Sequence, residues 1–274
     1  MEFPTNDSIE ELIDSLPFVD THAHLHMRHF ENDWDEVAKR SKRLSLIVNV
    51  STSEEDIGPT LEVSQRLDNT YVAIGVHPHD SKDVSPSYIE KLAQLCRSNP
   101  KVVAIGEIGL DFFRNISPPD VQKKVFEDQL LLANELGLPV ILHVRDAYKE
   151  VYDIIKSVGP IGRGGIVHAF SGDTHWAKLF VKEGFLIGVG GPITYPKNEM
   201  LRQVVKIIGM ENVVTETDCP YLPPQHFRGK RNEPTYVVYV ATKIAEIMEQ
   251  SLETTVQIIH DNALKIFGLR ESNR

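Results

Sequence analysis

His22 and His24 stand two residues apart in the segment DTHAHLH, at the end of a short apolar run. On an extended strand that spacing turns both imidazoles to one face, where they can reach a single cation. Taken alone, an H-x-H pair is equally compatible with a structural or surface role. The same placement recurs along the chain: Glu107 follows VVAIG, His143 ends PVILH, His168 ends GGIVH, and Asp218 lies two residues beyond NVVTE. Imidazole nitrogens and carboxylate oxygens without thiolates suit a hydrolytic divalent site better than a closed structural zinc site. Four histidines and two carboxylates also exceed what one open catalytic ion takes. A bridging Glu107 would give His22, His24 and Asp218 to one ion and His143 and His168 to a second, about 3.5–4 Å away. Such a pair can activate one water and clamp a phosphate, and with its carboxylates and hydroxide it carries a local charge of about +1 that draws an anion.

The elements that must bring these residues together are legible in the apolar pattern. Runs rich in Val, Ile and Leu at 17–21, 44–50, 71–76, 102–106, 139–143, 164–168, 185–189 and 212–216 read as strands. Between them, helical spacing covers 54–68, 87–98, 119–136, 147–157, 174–183 and 199–208, with start and stop signals such as Ser53 with Asp56, and Gly137. Helices at 235–249 and 252–266 follow the last strand. Near-continuous apolar strands separated by helices imply a parallel sheet covered on its outer face, and eight such units match an α/β fold of the (βα)8 TIM-barrel type. The expectation is one domain over 1–274, with a polar leader at 1–16. In such a barrel catalytic residues sit at the carboxyl ends of the strands, where the six candidates fall. A doubly wound open sheet is the alternative, but no G-x-G-x-x-G or G-x-x-x-x-G-K-[ST] loop follows the first strand.

Composition narrows the class further. The chain has 274 residues, 41% of them hydrophobic and 25% charged, with a formal charge of −10. That excludes a disordered or fibrous protein and argues against nucleic-acid binding through a broad basic surface, while leaving a locally positive site open. No apolar stretch approaches the roughly 20 residues that cross a bilayer, and the acidic start lacks the parts of a signal peptide. Cys96 and Cys219 alone do not suggest a disulfide framework. A soluble cytoplasmic protein is expected, with no membrane partner and no obligate protein partner.

The motifs DTHAHLH, GVHPH, AIGEIGLD, HVRDA, VHAFSG, TETDCPYLPP and RGKRNEP, in this order across almost the whole chain, resemble the TatD-type metal-dependent DNases. The resemblance implies a (βα)8 barrel, a divalent-metal hydrolase and a nuclease, commonly a 3′ to 5′ exonuclease on DNA and sometimes RNA. Carried over residue by residue, the family's ligands fall on His22, His24, Glu107, His143, His168 and Asp218. The chain departs from the family in having Ala23 where a Cys is common and His26 where an Asp is common, which bears on substrate preference near that loop.

Other residues carry weaker signals. Arg145, two residues after His143, offers a planar guanidinium for a phosphate oxygen, against an ion pair with Asp146. The resemblance suggests that His77 contacts the substrate phosphate or a metal-bound water; a turn-forming or ligand-orienting role competes. Glu216 shares the face of Asp218 and can orient a ligand or a water without being one. Arg228, Lys230 and Arg231 form the densest basic cluster and can steer a nucleic-acid backbone, against a solvated loop paired with acids such as Glu233. Phe112, Phe113, Tyr195 and Tyr221 lie on loops after strands and can stack on an unpaired base or simply pack. Cys219 lacks an activating base and reads as packing.

Together these point to hydrolysis of a phosphodiester by water activated on two divalent ions (Mg, Mn or Zn), with Asp218 accepting its proton and DNA or RNA ends as substrate. The rival on the same barrel is an amide, lactone or ester hydrolase, including one that deacylates aminoacyl-tRNA. Related binuclear amidohydrolases bridge their ions with a carboxylated lysine from the fourth strand; Glu107 in that place favours the nuclease. A non-catalytic scaffold or binding module would have lost at least one of the six central ligands.

Overall fold

A computed structural model describes the backbone of residues 6–270 and side chains from residue 11 onward. Eight strands form one parallel sheet in sequence order: β1 (Val19–Ala23), β2 (Leu46–Val50), β3 (Thr70–Ile74), β4 (Val102–Asp111), β5 (Val140–Arg145), β6 (Gly165–Val167), β7 (Phe185–Val189) and β8 (Val213–Thr215). Each strand pairs in parallel with the next. The sheet curls until its ends meet. There the seam is made largely by side chains: Thr21 Oγ1 donates to the Thr215 carbonyl (3.1 Å) and Thr215 Oγ1 to the Val19 carbonyl (2.8 Å). Beyond them His24 N donates to the Cys219 carbonyl and Asp218 N to the His22 carbonyl. The architecture is a single α/β domain, a nearly closed TIM-type barrel.

The helices expected between the strands are present, at Ile57–Arg66, Tyr88–Ser98, Pro119–Leu136, Tyr148–Val158, Thr174–Lys182 and Glu199–Ile208, and so are the closing pair Val237–Met248 and Leu252–Phe267. Gly137 ends its helix in a left-handed conformation (φ 64°). Asp56 stands at the N-cap position of the helix after β2, and its carboxylate takes the N–H of Ser53 just before it rather than a helix N–H. Strand interiors are apolar on both faces because one face fills the barrel and the other packs under the helices.

Three elements differ from the sequence reading. The polar leader expected at 1–16 contains a helix, Asn6–Ser15, whose Ile13 is buried with Phe18, Val237 and Val238 in a second apolar cluster; residues 1–5 lie outside the described residues. A short helix, Trp34–Ser41, buries Val37 in the same cluster, with too few apolar positions to declare itself in the sequence. Strand β4 runs five residues past its expected end at 106. The glycines of AIGEIGLD suggest a strand end, yet they serve close approach: a Cβ on Gly109 (φ 142°) would lie 2.0 Å from the His143 carbonyl oxygen.

Candidate metal centre

Strands β1, β4 and β5, with the segments that follow β1, β6 and β8, bring His22, His24, Glu107, His143, His168 and Asp218 together. Glu107 lies midway along β4, His22 is fully buried, and the other five, with His77 after β3, line one cavity of about 780 Å³. Glu107 is buried at the centre and its two oxygens face different groups. Oε2 lies 3.3 Å from His22 Nε2 and 3.9 Å from His24 Nε2. Oε1 lies 2.7 Å from His143 Nδ1, 3.6 Å from His77 Nε2 and 3.9 Å from His168 Nε2. Asp218 Oδ1 completes the ring, 3.4 Å from His24 Nε2, 3.8 Å from His168 Nε2 and 4.0 Å from His22 Nε2.

This donor set fits divalent cations. His22 and His24 bring their Nε2 atoms to 3.1 Å, a separation at which two ring nitrogens share at most one proton. Ligand atoms about 2.1 Å from a tetrahedral ion stand about 3.4 Å apart, and the edges among His22, His24 and Asp218 are 3.1, 3.4 and 4.0 Å. Groups able to hold an ion gather as His22, His24 and Asp218; as His77, Glu107 and His143; and as His22, His168 and Glu216.

The electrostatics show a cluster that demands positive charge. Burial opposes ionisation of Glu107, but the surrounding His77 and His22 rings outweigh it and hold its carboxyl well below the usual range. Burial likewise opposes protonation of His168, yet Glu216, Asp218 and Glu107 raise it to about 10. His24 and His143 are raised against burial in the same way, by Asp218 and by Asp111 with Glu107 respectively. His22 and His77 are lowered, first by burial and then by a neighbouring imidazole. Protons on imidazoles stand here where cations would neutralise the same carboxylates.

Local geometry explains the convergence. Buried Asp20 in β1 accepts from the His22 and Thr217 N–H groups and from Thr217 Oγ1, and so clamps the segment carrying Asp218 onto β1. Burial pushes the Asp20 carboxyl up to about 8 against those hydrogen bonds. Asp218 sits in the left-handed region (φ 57°), a conformation Asp tolerates, and its carbonyl accepts from Tyr221 N.

A family model of TatD related DNases matches residues 19–268. The chain belongs to that family. This TatD-family chain is 42% identical over 252 residues to the uncharacterized metal-dependent hydrolase YabD of Bacillus subtilis, covering 91% of this chain and 98% of YabD. It is 33% identical to the 3′-5′ ssDNA/RNA exonuclease TatD of a Rahnella species, covering 88% and 94% of the two chains. The crystal structure of YjjV, a TatD homolog from Escherichia coli, superposes with a TM-score of 0.87 at 32% identity, covering 93% of this chain and 99% of that one. These likenesses place the TatD-family chain among the metal-dependent hydrolases.

Two residues behind the cluster escaped notice in the sequence or were only half seen. Asp111, at the end of β4 and fully buried, takes His143 Nε2 (3.1 Å) and His79 Nε2 (2.8 Å) on one oxygen and the Arg114 N–H (2.8 Å) on the other. Its signal was present as the last residue of EIGLD, four after Glu107, but the glycines hid the strand that carries it. Glu216 accepts the Ala169 N–H at Oε1, which also lies 3.1 Å from His168 Nδ1. Its side chain occupies space that a Cβ on Gly188 would enter, 2.4 Å from Oε2.

The outer residues divide. Arg145 lines the cavity and stacks over Phe113, and no ion pair joins it to Asp146 among the described residues. Arg228 stacks over Tyr195, and Arg231 is bound to Asp33 through both terminal nitrogens. Arg228, Lys230 and Arg231 do not line the cavity. Cys219 is buried, and burial raises its thiol well above the ordinary value.

Proposed function

We propose that this chain is a divalent-metal-dependent phosphodiesterase that removes nucleotides from the 3′ end of single-stranded DNA, and of RNA as a second substrate. The observation that carries the reading is the division of buried Glu107 between two sets of imidazoles. His22, His24 and Asp218 would hold one cation with Oε2 of Glu107, and His143 and His168 a second with Oε1. Bound there, divalent cations supply the Lewis-acid charge that acidifies a water and neutralises phosphoryl oxygens. The 3′-5′ ssDNA/RNA exonuclease among the relatives supports this choice of substrate class.

The chain's own groups do the rest. Asp218, at the cavity floor, takes the proton from the attacking water. His77 accepts the His79 N–H at Nδ1, so its neutral ring carries the proton on Nε2 and can donate it to a phosphoryl oxygen. Asp111 holds His143 through Nε2, which leaves Nδ1 free to face Glu107. Glu216 backs His168 from its Nδ1 side. No covalent enzyme intermediate is needed. The test is 5′-labelled single-stranded DNA incubated with metal-loaded protein: the wild type gives products shortened stepwise from the 3′ end, whereas Glu107→Ala loses at least about a thousandfold in rate. Full cleavage by Glu107→Ala would refute the proposal.

A further inference from the structure

The cations that reach the cavity are not those of the 228–231 segment. Arg114, in the turn after β4, and Arg145, at the end of β5, both line the cavity, and neither guanidinium meets a carboxylate among the described residues. The carboxylates sharing that space are engaged elsewhere or stand apart: Glu107, Glu216 and Asp218 face the histidines, and Asp80 adjoins His79 on the wall. Arg145 lies two residues beyond His143, about 6.5 Å along the strand, so its head group stands outside the buried cluster.

Both arginines are held in place by the backbone. Asp111 pairs with Arg145 in the β4–β5 register, and Phe112 N donates to the Arg145 carbonyl (3.0 Å). The same Asp111 fixes the turn that follows, through the Arg114 N–H on its carboxylate and the Asn115 N–H on its carbonyl. Arg145 rests on the ring of Phe113, with Cζ 4.0 Å from the centroid, while Phe113 itself is 61% exposed. A guanidinium stacked on a ring keeps its N–H edges free for a bidentate acceptor. An exposed phenylalanine that supports an arginine without carboxylate partners, at the mouth of an anion-seeking site, has no role in packing the core.

We propose that Arg114 and Arg145 form a second phosphate subsite, which takes the backbone phosphate adjoining the scissile one in a single-stranded nucleic acid. This rests on the phosphodiesterase reading and adds to it the requirement for a substrate with at least two consecutive phosphates. Tyr221, 46% exposed after β8 and lining the same cavity, supplies a ring face on which an unpaired base can lie.

The experiment compares the wild type with Arg114→Gln, Arg145→Gln and the double variant, all surface changes that leave the core untouched. Binding of a fluorescein-labelled oligothymidylate is followed by anisotropy in excess chelator over a salt series. Hydrolysis of d(TpTpT) and d(TpT) is measured with metal restored. The double variant should bind at least tenfold more weakly, with its salt slope reduced by about 0.7. The ratio of kcat/KM for the trinucleotide over the dinucleotide should fall at least tenfold. Unchanged affinity and an unchanged ratio overturn the subsite. Arginine-dependent binding by a wild type that cleaves neither substrate upholds the subsite and refutes the phosphodiesterase; cleavage of both substrates with no arginine dependence does the reverse.

Discussion

Asp111→Asn is the most informative single change, because it alters one atom of a carboxylate that touches no substrate. Asp111 accepts three N–H groups, from His79, His143 and the Arg114 backbone, at 2.8–3.1 Å. An asparagine has one oxygen and one NH2 group. If its oxygen faces the imidazoles, the NH2 confronts the Arg114 N–H, donor against donor. If it turns over, the NH2 confronts two ring nitrogens, and His143 must move its proton to Nδ1, the atom facing Glu107. Either arrangement removes a charge-assisted bond, and the second also takes the inward lone pair of His143. Loss of such a supporting partner costs about 10–100-fold in metal affinity or activity, which corresponds to about 1.4–2.7 kcal/mol. Zinc affinity measured against a chromogenic chelator, and kcat at saturating metal, should both register the change. An affinity and a kcat within twofold of the wild type, in a variant of unaltered melting temperature, would refute the reasoning.

Metal loading should release protons: His168, raised to about 10, carries a proton at pH 7 and must shed it to offer a lone pair. The calorimetric heat of zinc binding should therefore vary with the ionisation enthalpy of the buffer, and the apparent affinity should rise as pH rises below that value; no buffer dependence at pH 7 would contradict this. Gly188→Ala should drive a methyl group against Glu216 Oε2, costing about 1–3 kcal/mol of stability. It should also lower activity by about tenfold through His168, read together as a melting temperature and a rate. Thr215→Val should leave the buried Val19 carbonyl at the barrel seam without its 2.8 Å partner and cost about 1–3 kcal/mol in denaturant unfolding.

The barrel was legible because each strand is a short Val, Ile and Leu run bounded by a helix of the expected period, a pattern that only a parallel sheet covered on one face and filled on the other explains. The central histidines and Asp218 were legible for the same reason, since a strand's end shows in sequence where its apolar run stops; Glu107 was found by the same stop although β4 runs on past it to Asp111. Asp111 was not, because glycine reads as a terminator while Gly106 and Gly109 here bring β4 close to β5. Asp20 looked like one more residue of an apolar strand, and its clamp on Thr217 joins positions 197 residues apart. For the basic cluster at 228–231 the sequence left steering and acid pairing open, because charge density does not say what each cation meets; Arg231 meets Asp33, and Arg228 stacks over Tyr195. Arg114 carried no motif at all. Its importance comes from the turn that Asp111 holds.

Anomalous diffraction from crystals of the wild-type protein soaked in zinc or manganese tests the central claim most directly. Two peaks are expected, one on each side of the Glu107 carboxylate and about 3.5–4 Å apart, with His22, His24 and Asp218 around the first and His143 and His168 around the second. No ordered peak within reach of Glu107, or a single ion bound by other residues, would contradict the account.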